Sequence, residues 1–278
     1  MSKRVVVVVL AVLVLAPAAW GGVVFTSVTK VEGGKVAEQR SNTVNGWVDG
    51  DLARFEFTQS GNPMMAEGTY LITTDGGKEV FLVNPKGKSF SRFDVEGMMQ
   101  FATSAMKVVN MKFSDPRIEK LGQAPNGLVA GVPTIHYQYR TSYTVSMGFM
   151  GMKKSTRIVT EEEIWSAPKL LEAALGIWLR KSPPKLGDDN LDNLLRAEME
   201  KIEGFPLKRK IVRTSTDEKG NVEVTTTLME VTSLEMTSVS ASLFEIPPDY
   251  KEITPSPDAE DDKEGENPFL KMLGGKKK

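Results

Sequence analysis

From Pro133 onward the chain alternates apolar and polar positions. Ile135, Tyr137, Tyr139, Thr141, Tyr143, Val145, Met147 and Phe149 take every second place, and His136, Gln138, Arg140, Ser142, Thr144 and Ser146 stand between them. Side chains on a strand point to opposite faces with a period of two, so the pattern predicts one long strand with an apolar face and a wet face. A helix would scatter the same aromatics around its axis. Met152 to Trp165 pairs with it as a long hairpin. Shorter runs predict strands over Val23–Lys30, Val36–Val48, Ala53–Thr58, Thr69–Thr73, Val80–Val83 and Ser89–Phe93, with tight turns at Asp75-Gly76-Gly77 and Asn84-Pro85-Lys86-Gly87. Strand pattern resumes after Asn110 and breaks at Pro125-Asn126-Gly127. It returns over Leu207–Arg213, Val222–Met236 and a short Leu243–Ile246.

Two stretches change period. Met98, Phe101, Ala102, Ala105 and Val109 recur at helical spacing behind Asp94, a capping residue, which predicts a helix from Val95 to Asn110. Between Pro168 and Gly204, the residues Leu170, Leu171, Ala174, Leu175, Trp178 and Leu179 predict a strongly apolar helix ended by Ser182-Pro183-Pro184. Leu191, Leu194, Leu195 and Ile202 predict a second one closed by Gly204. About ten antiparallel strands, interrupted by helices in two places, predict an α+β, mainly β fold. Its simplest form is a strongly curved sheet, an unclosed β-barrel, with helices packed in or across the hollow.

The ends bear on location. Lys3 and Arg4, the apolar Val5–Leu15 and the small-residue segment Ala16-Pro17-Ala18-Ala19 have the layout of a secretory signal peptide over residues 1–19, with cleavage near Ala18. A rival reading carries the apolar run on to Phe25, about 20 residues, as an uncleaved inner-membrane anchor; Pro17 and Gly21-Gly22 oppose it. The expected mature domain is 20–253, in the periplasm. It has no cysteine, so it folds without disulfides and carries no lipid on an N-terminal thiol. Removing Lys3 and Arg4 leaves 33 basic against 36 acidic residues, which gives no electrostatic case for nucleic acid. Residues 254–278 are Pro-rich and acidic, then basic at Lys276–Lys278, and read as a disordered tail. A solvated tail is the plainer interpretation, and contact with the envelope or a membrane surface the sharper one.

No catalytic pattern emerges, and no enzyme is expected. His136, the only histidine, falls on the wet face of its strand, and no G-x-S-x-G elbow partners it. Imidazole or thiolate metal sites lack ligands. Asp188, Asn190 and Asp192 imitate the start of a calcium loop, but Asn193 stands where the sharp-turn glycine belongs and Met199 where the bidentate glutamate belongs. Glu161-Glu162-Glu163 reads as a solvated strand face, with Glu162 pointing opposite its neighbours. No cofactor is implied. Methionine is more suggestive: Met147, Met150 and Met152 crowd a hairpin tip with Phe149, Met64-Met65 lie in a loop, and Met98, Met99 and Met106 ride the first helix. Such side chains suit surfaces that repack around varied apolar partners, or ordinary core filling.

Phe57-Thr58-Gln59 through Thr74-Asp75-Gly76, then Val80-Phe81-Leu82-Val83-Asn84-Pro85, resembles the sheet core of LolA/LolB-like periplasmic lipoprotein carriers. Leu243-Phe244-Glu245-Ile246-Pro247-Pro248-Asp249-Tyr250 resembles their last strand, and Gly204-Phe205-Pro206-Leu207 resembles an uncharacterised branch of that superfamily. The resemblance implies a half-barrel with helices over its mouth and an apolar hollow that takes acyl chains. Phe55, Phe57, Ile135, Tyr137, Tyr139, Tyr143, Val145, Met147 and Phe149 would line it, with Met98, Phe101 and Trp178 on the lids. Arg54 falls near the place where carriers keep an arginine that ties the lid shut. The longer Pro168–Gly204 segment and the acidic tail depart from the carriers. The expected function is that of a monomeric carrier or chaperone for a lipid or a lipid-modified (acylated) protein. The alternative is a hollow filled by its own helices, in a structural or signalling module that acts through its surface and tail.

Overall fold

The computed structural model describes residues 22–34, 37–149, 152–170, 189–201 and 204–253. The strands are β1 (Val23–Glu32), β2 (Asn42–Asp49), β3 (Leu52–Ser60), β4 (Tyr70–Thr73), β5 (Glu79–Asn84), β6 (Ser89–Asp94), β7 (Lys112–Val129), β8 (Val132–Phe149), β9 (Met152–Ala167), β10 (Phe205–Asp217), β11 (Val222–Met236) and β12 (Lys251–Glu252). Among the described residues the α-helices are α1 (Ala37–Arg40), α2 (Val95–Val108) and α3 (Asp189–Glu200). All 12 strands form one curved, unclosed sheet in the order β12-β6-β5-β4-β3-β2-β1-β11-β10-β9-β8-β7. Every pairing is antiparallel except β12 with β6. The mainly β half-barrel read from the alternation is the fold.

The order carries two consequences for the site. β1 sits mid-sheet, paired on one side with β2 and on the other with β11. β6 and β7, joined by α2, lie near one edge and at the opposite edge of the sheet, so α2 bridges the two sides of the opening. The C-terminal end of α2 is fixed there: the Gly148 N–H near the end of β8 donates to the Val109 carbonyl at 2.9 Å.

Several boundaries differ from the sequence reading, each for a local reason. The expected break at Pro125-Asn126-Gly127 is a bulge inside β7, which runs on to Val129. β7 is an edge strand, so a proline costs it no ladder hydrogen bond. The hairpin turns instead at Ala130-Gly131, both at positive φ (50° and 77°), the backbone of a tight primed turn. Within the expected Val36–Val48 strand, Ala37–Arg40 form α1 and β2 begins at Asn42; Val36 lies outside the described residues. The expected strand Leu243–Ile246 is a 3-10 turn over Ala241–Phe244, and the chain joins the sheet later, as β12.

Three apolar clusters hold the sheet. The first gathers Val23, Phe25, Val48, Ala53, Leu170, Phe205, Leu207 and Val231, with Phe55 and the β7–β8 turn residues Val129, Ala130 and Val132 packed against it. Gly46 belongs to this design: the Phe25 ring lies over it so closely that an added Cβ would meet ring atoms at 2.4–2.9 Å. The second cluster is Tyr70, Ile72, Val83 and Phe244, flanked by Trp47, Phe81, Phe90, Val239, Ile246 and Tyr250. The third is Tyr137, Tyr139 and Ile164 with Ile118 and Ile135.

Candidate functional site

Cross-strand partners share a face, so the register shows which candidate residues lie together. Phe57 stands opposite Val44, Val44 opposite Ser27, and Ser27 opposite Val231. Two residues on, Met229 stands opposite Arg209, Arg209 opposite Ile164, and Ile164 opposite Tyr137. One face therefore runs from Phe55 and Phe57 on β3 to Ile135, Tyr137, Tyr139, Tyr143, Val145 and Met147 on β8. Phe55 packs near Phe25, ring centroids 6.3 Å apart. Tyr137 and Tyr139 are buried, Tyr143 and Val145 half-buried, and Met147 is 40% exposed. The apolar row thus grows more accessible toward the β8–β9 tip. Met98 is exposed on α2. The side chains of Phe101 and Phe149, and the whole of Trp178, lie outside the described residues.

α3 runs along this row, from Asn190 at Phe113, opposite Val145, to the following Lys201 at Thr141 and Tyr139. Leu191 and Leu194 are its buried apolar residues, and Asn190 Nδ2 donates to the Phe113 carbonyl of β7 at 2.9 Å. The C-terminal end is held differently, by a buried ionic cluster. Lys201 Nζ, in a residue 3% exposed, reaches Glu162 Oε2 at 3.2 Å, Glu198 Oε1 at 2.7 Å and Thr141 Oγ1 at 2.6 Å. Thr141 Oγ1 donates in turn to Glu198 Oε1 at 2.9 Å. Glu162, 2% exposed, also takes a hydrogen bond from Arg209 Nε. The Lys201 ammonium lies 5.5 Å from the Tyr139 ring centre. Every oxygen of the buried carboxylate therefore faces a cation, which is what allows a charge to stay there.

Glu162 corrects the sequence reading. Its neighbours Glu161 and Glu163 are solvent-facing as expected and pair with Arg140 and Lys210. Glu162 itself is buried because its parity is that of Ile158 and Ile164, the apolar positions of β9. The signal was present: a carboxylate in an inward register needs a cation, and Lys201 shares the helical spacing of Leu191, Leu194 and Glu198. His136 is stacked on Trp165, ring centroids 4.4 Å apart, and shares a 3.1 Å hydrogen bond with Glu163 on the reverse face.

Arg54 also lies on the reverse face, since alternation sends it opposite to Ala53 and Phe55. Its guanidinium lies 3.7 Å from the Tyr70 ring centre, bonds Glu56 Oε2 at 2.9 Å, and reaches the Leu243 carbonyl at 3.4 Å. The burial of Tyr70 pushes its hydroxyl above the usual range, more than the neighbouring guanidinium pulls it down. Arg54 thus fastens the C-terminal segment to the back of the sheet, where neither Phe55 nor α3 lies.

Among the described residues no three side chains of metal-ligating type converge, and no helix is long and apolar enough to cross a membrane. Residues 35–250 match the model of a family described as a domain of unknown function (DUF4412). No curated protein matches the chain.

Proposed function

The chain belongs to the DUF4412 family, and we propose that it is an exported binding or carrier protein of the cell envelope for an apolar ligand. The ligand class is the acyl chain of a lipid or of a lipid-modified protein. The observation that carries the reading is the row Tyr143, Val145 and Met147, which continues the buried Tyr137–Tyr139 face along β8 and gains exposure toward the opening that α2 bridges. The resemblance to lipoprotein carriers supports the same class. A chain of about 16 carbons gains roughly 12 kcal/mol gross on burial, at about 0.8 kcal/mol per methylene. Association and ordering take back several of those, which leaves micromolar binding within reach without a polar anchor.

The test is uptake of a fluorescent fatty acid by the parent and by Tyr143→Asp. A charge in the middle of the row should abolish uptake while the unfolding transition stays close to that of the parent; full uptake by the variant would overturn the assignment of this face. Native mass spectrometry of protein from its own envelope would name the cargo.

A second reading, a structural or signalling module whose hollow is filled by its own helix, is favoured by one observation: α3 already buries Leu191 and Leu194, and the Glu162–Lys201 pair at its end occupies the face beside Tyr139. Deleting Pro255–Lys278 separates the two. Ligand uptake should survive the deletion, whereas an interaction made through the tail should vanish.

A further inference from the structure

The end of the sheet where α2 meets the β8–β9 hairpin combines exposed apolar side chains with a basic rim. Val108 in the last turn of α2 is 72% exposed, and Met147 on β8 is 40% exposed. The bond from Gly148 N–H to the Val109 carbonyl holds the two segments side by side. Around them stand four exposed lysines. Lys107 precedes Val108 and Lys154 is opposite Met147 on its own face, while Lys112, which opens β7 opposite Ser146, and Lys153, opposite Gly148, stand on the reverse face of the same sheet end. None of the four has a carboxylate within salt-bridge distance among the described residues. Asn190 holds the acidic start of α3 at Phe113, next to Lys112, so the basic excess lies on the α2 and β8–β9 side.

From this arrangement we infer that the α2–hairpin end is a docking surface for an anionic lipid bilayer. Val108 and Met147 enter the interfacial region, and the lysines meet the headgroup phosphates. The chemistry is that of an interfacial anchor: a small apolar area alone binds a membrane weakly, and a basic cluster supplies the second signal that makes binding useful. Solvated lysines with no acidic partner among the described residues can make those contacts, whereas Lys208, Arg209 and Lys210 of β10 are already paired with Glu230, Glu162 and Glu163. The inference stands on the surface alone and does not need an apolar ligand on the sheet face.

The experiment is flotation of the full chain with vesicles of phosphatidylcholine and with the same vesicles doped with phosphatidylglycerol, at low and raised salt. The parent should bind the anionic vesicles several-fold more tightly, and salt should weaken that excess. Neutralising Lys153→Gln and Lys154→Gln together should cut anionic-vesicle binding by about 25-fold, since each lysine near such a surface contributes about fivefold. Val108→Asp should reduce binding to both vesicle types. All three positions are exposed and lie outside the proposed ligand row, and the fatty-acid uptake and unfolding midpoint of each variant, measured alongside, keep loss of docking distinct from loss of ligand or of fold. Equal binding of the parent to the two vesicle types, or undiminished anionic binding by the lysine variant, would overturn the inference.

Discussion

The two covers of this sheet lie on opposite faces and are built on opposite principles. At β3–β6 the C-terminal segment crosses the back of the sheet and buries Phe244 among Tyr70, Ile72 and Val83, with Arg54 gripping the Leu243 carbonyl. At β8–β10 α3 lies on the other face and is seated at its end by Glu162, Lys201 and Arg209. Apolar burial stabilises in proportion to the area removed from water. A buried ion pair must first offset the desolvation of both partners, so its net contribution is small although breaking it is costly. The back cover is therefore a permanent part of the core. The helix is held by an arrangement that fixes where it sits more than how firmly.

The comparison breaks most visibly at Phe244. Phe244→Ala should cost about 3 kcal/mol in a denaturant titration and leave fatty-acid uptake unchanged, because the ring lies on the reverse face. Lys201→Met leaves Glu162 buried with Arg209 as its one cation among the described residues and should cost about 2 kcal/mol. Its distinguishing sign is faster amide exchange in α3 than in β3–β6. Replacing both partners, Glu162→Met with Lys201→Met, should return stability to within about 1 kcal/mol of the parent. If the double variant were as unstable as the single one, the helix would be seated by the pair itself. The smallest effect concerns the turns, where the two halves use one device. The Asp75 carboxylate takes hydrogen bonds from Lys78 and Glu79 N–H and from Thr73 Oγ, as Asp217 does from Lys219 and Asn221.

Partial burial raises the Asp75 carboxyl, but its hydrogen bonds from Glu79, Thr73 and Lys78 outweigh that and hold it below the usual carboxylate range. Asp217 is held low by the Asn221 side chain first and by its backbone next. A depressed pKa contributes stability above the unfolded value, about 3.9 for aspartate, and loses it as pH falls through the folded one. Asp75→Ala should cost about 1 kcal/mol near neutrality, a figure kept small by solvent screening, and nothing in strong acid. Asp217→Ala should follow the same pH course.

The long strands were legible because their alternation is strict over many residues: the Pro133–Trp165 hairpin and Val222–Met236 stand where the period of two places them. The shared face of Phe55, Phe57 and the tyrosines of β8 follows from that alternation once the pairing is known. What the sequence hides is the pairing. Pro125 looks like a strand break until β7 is seen to be an edge, and Arg54 looks like a lid residue until β3 is given a register. Leu243–Ile246 has strand-forming residues, but packing Phe244 into the second cluster bends the backbone there into a tight turn. Glu162 was misread because three consecutive glutamates suggest solvent, whereas the parity of the strand assigns each its own environment.

The strand order also governs the course of folding. β1 precedes the other eleven strands of the sheet, yet half of its ladder is made by β11, with partners as far apart in sequence as Val23 and Met236. The hairpins β2–β3, β4–β5, β5–β6, β7–β8 and β8–β9 form from neighbouring segments, but no order of events joins the two halves until the chain through Met236 is available. Closing so long a loop is slow. The nascent chain therefore waits with an open seam down its middle, and the strand edges exposed along β1 and β10 in that interval are where aggregation or a holding chaperone would act.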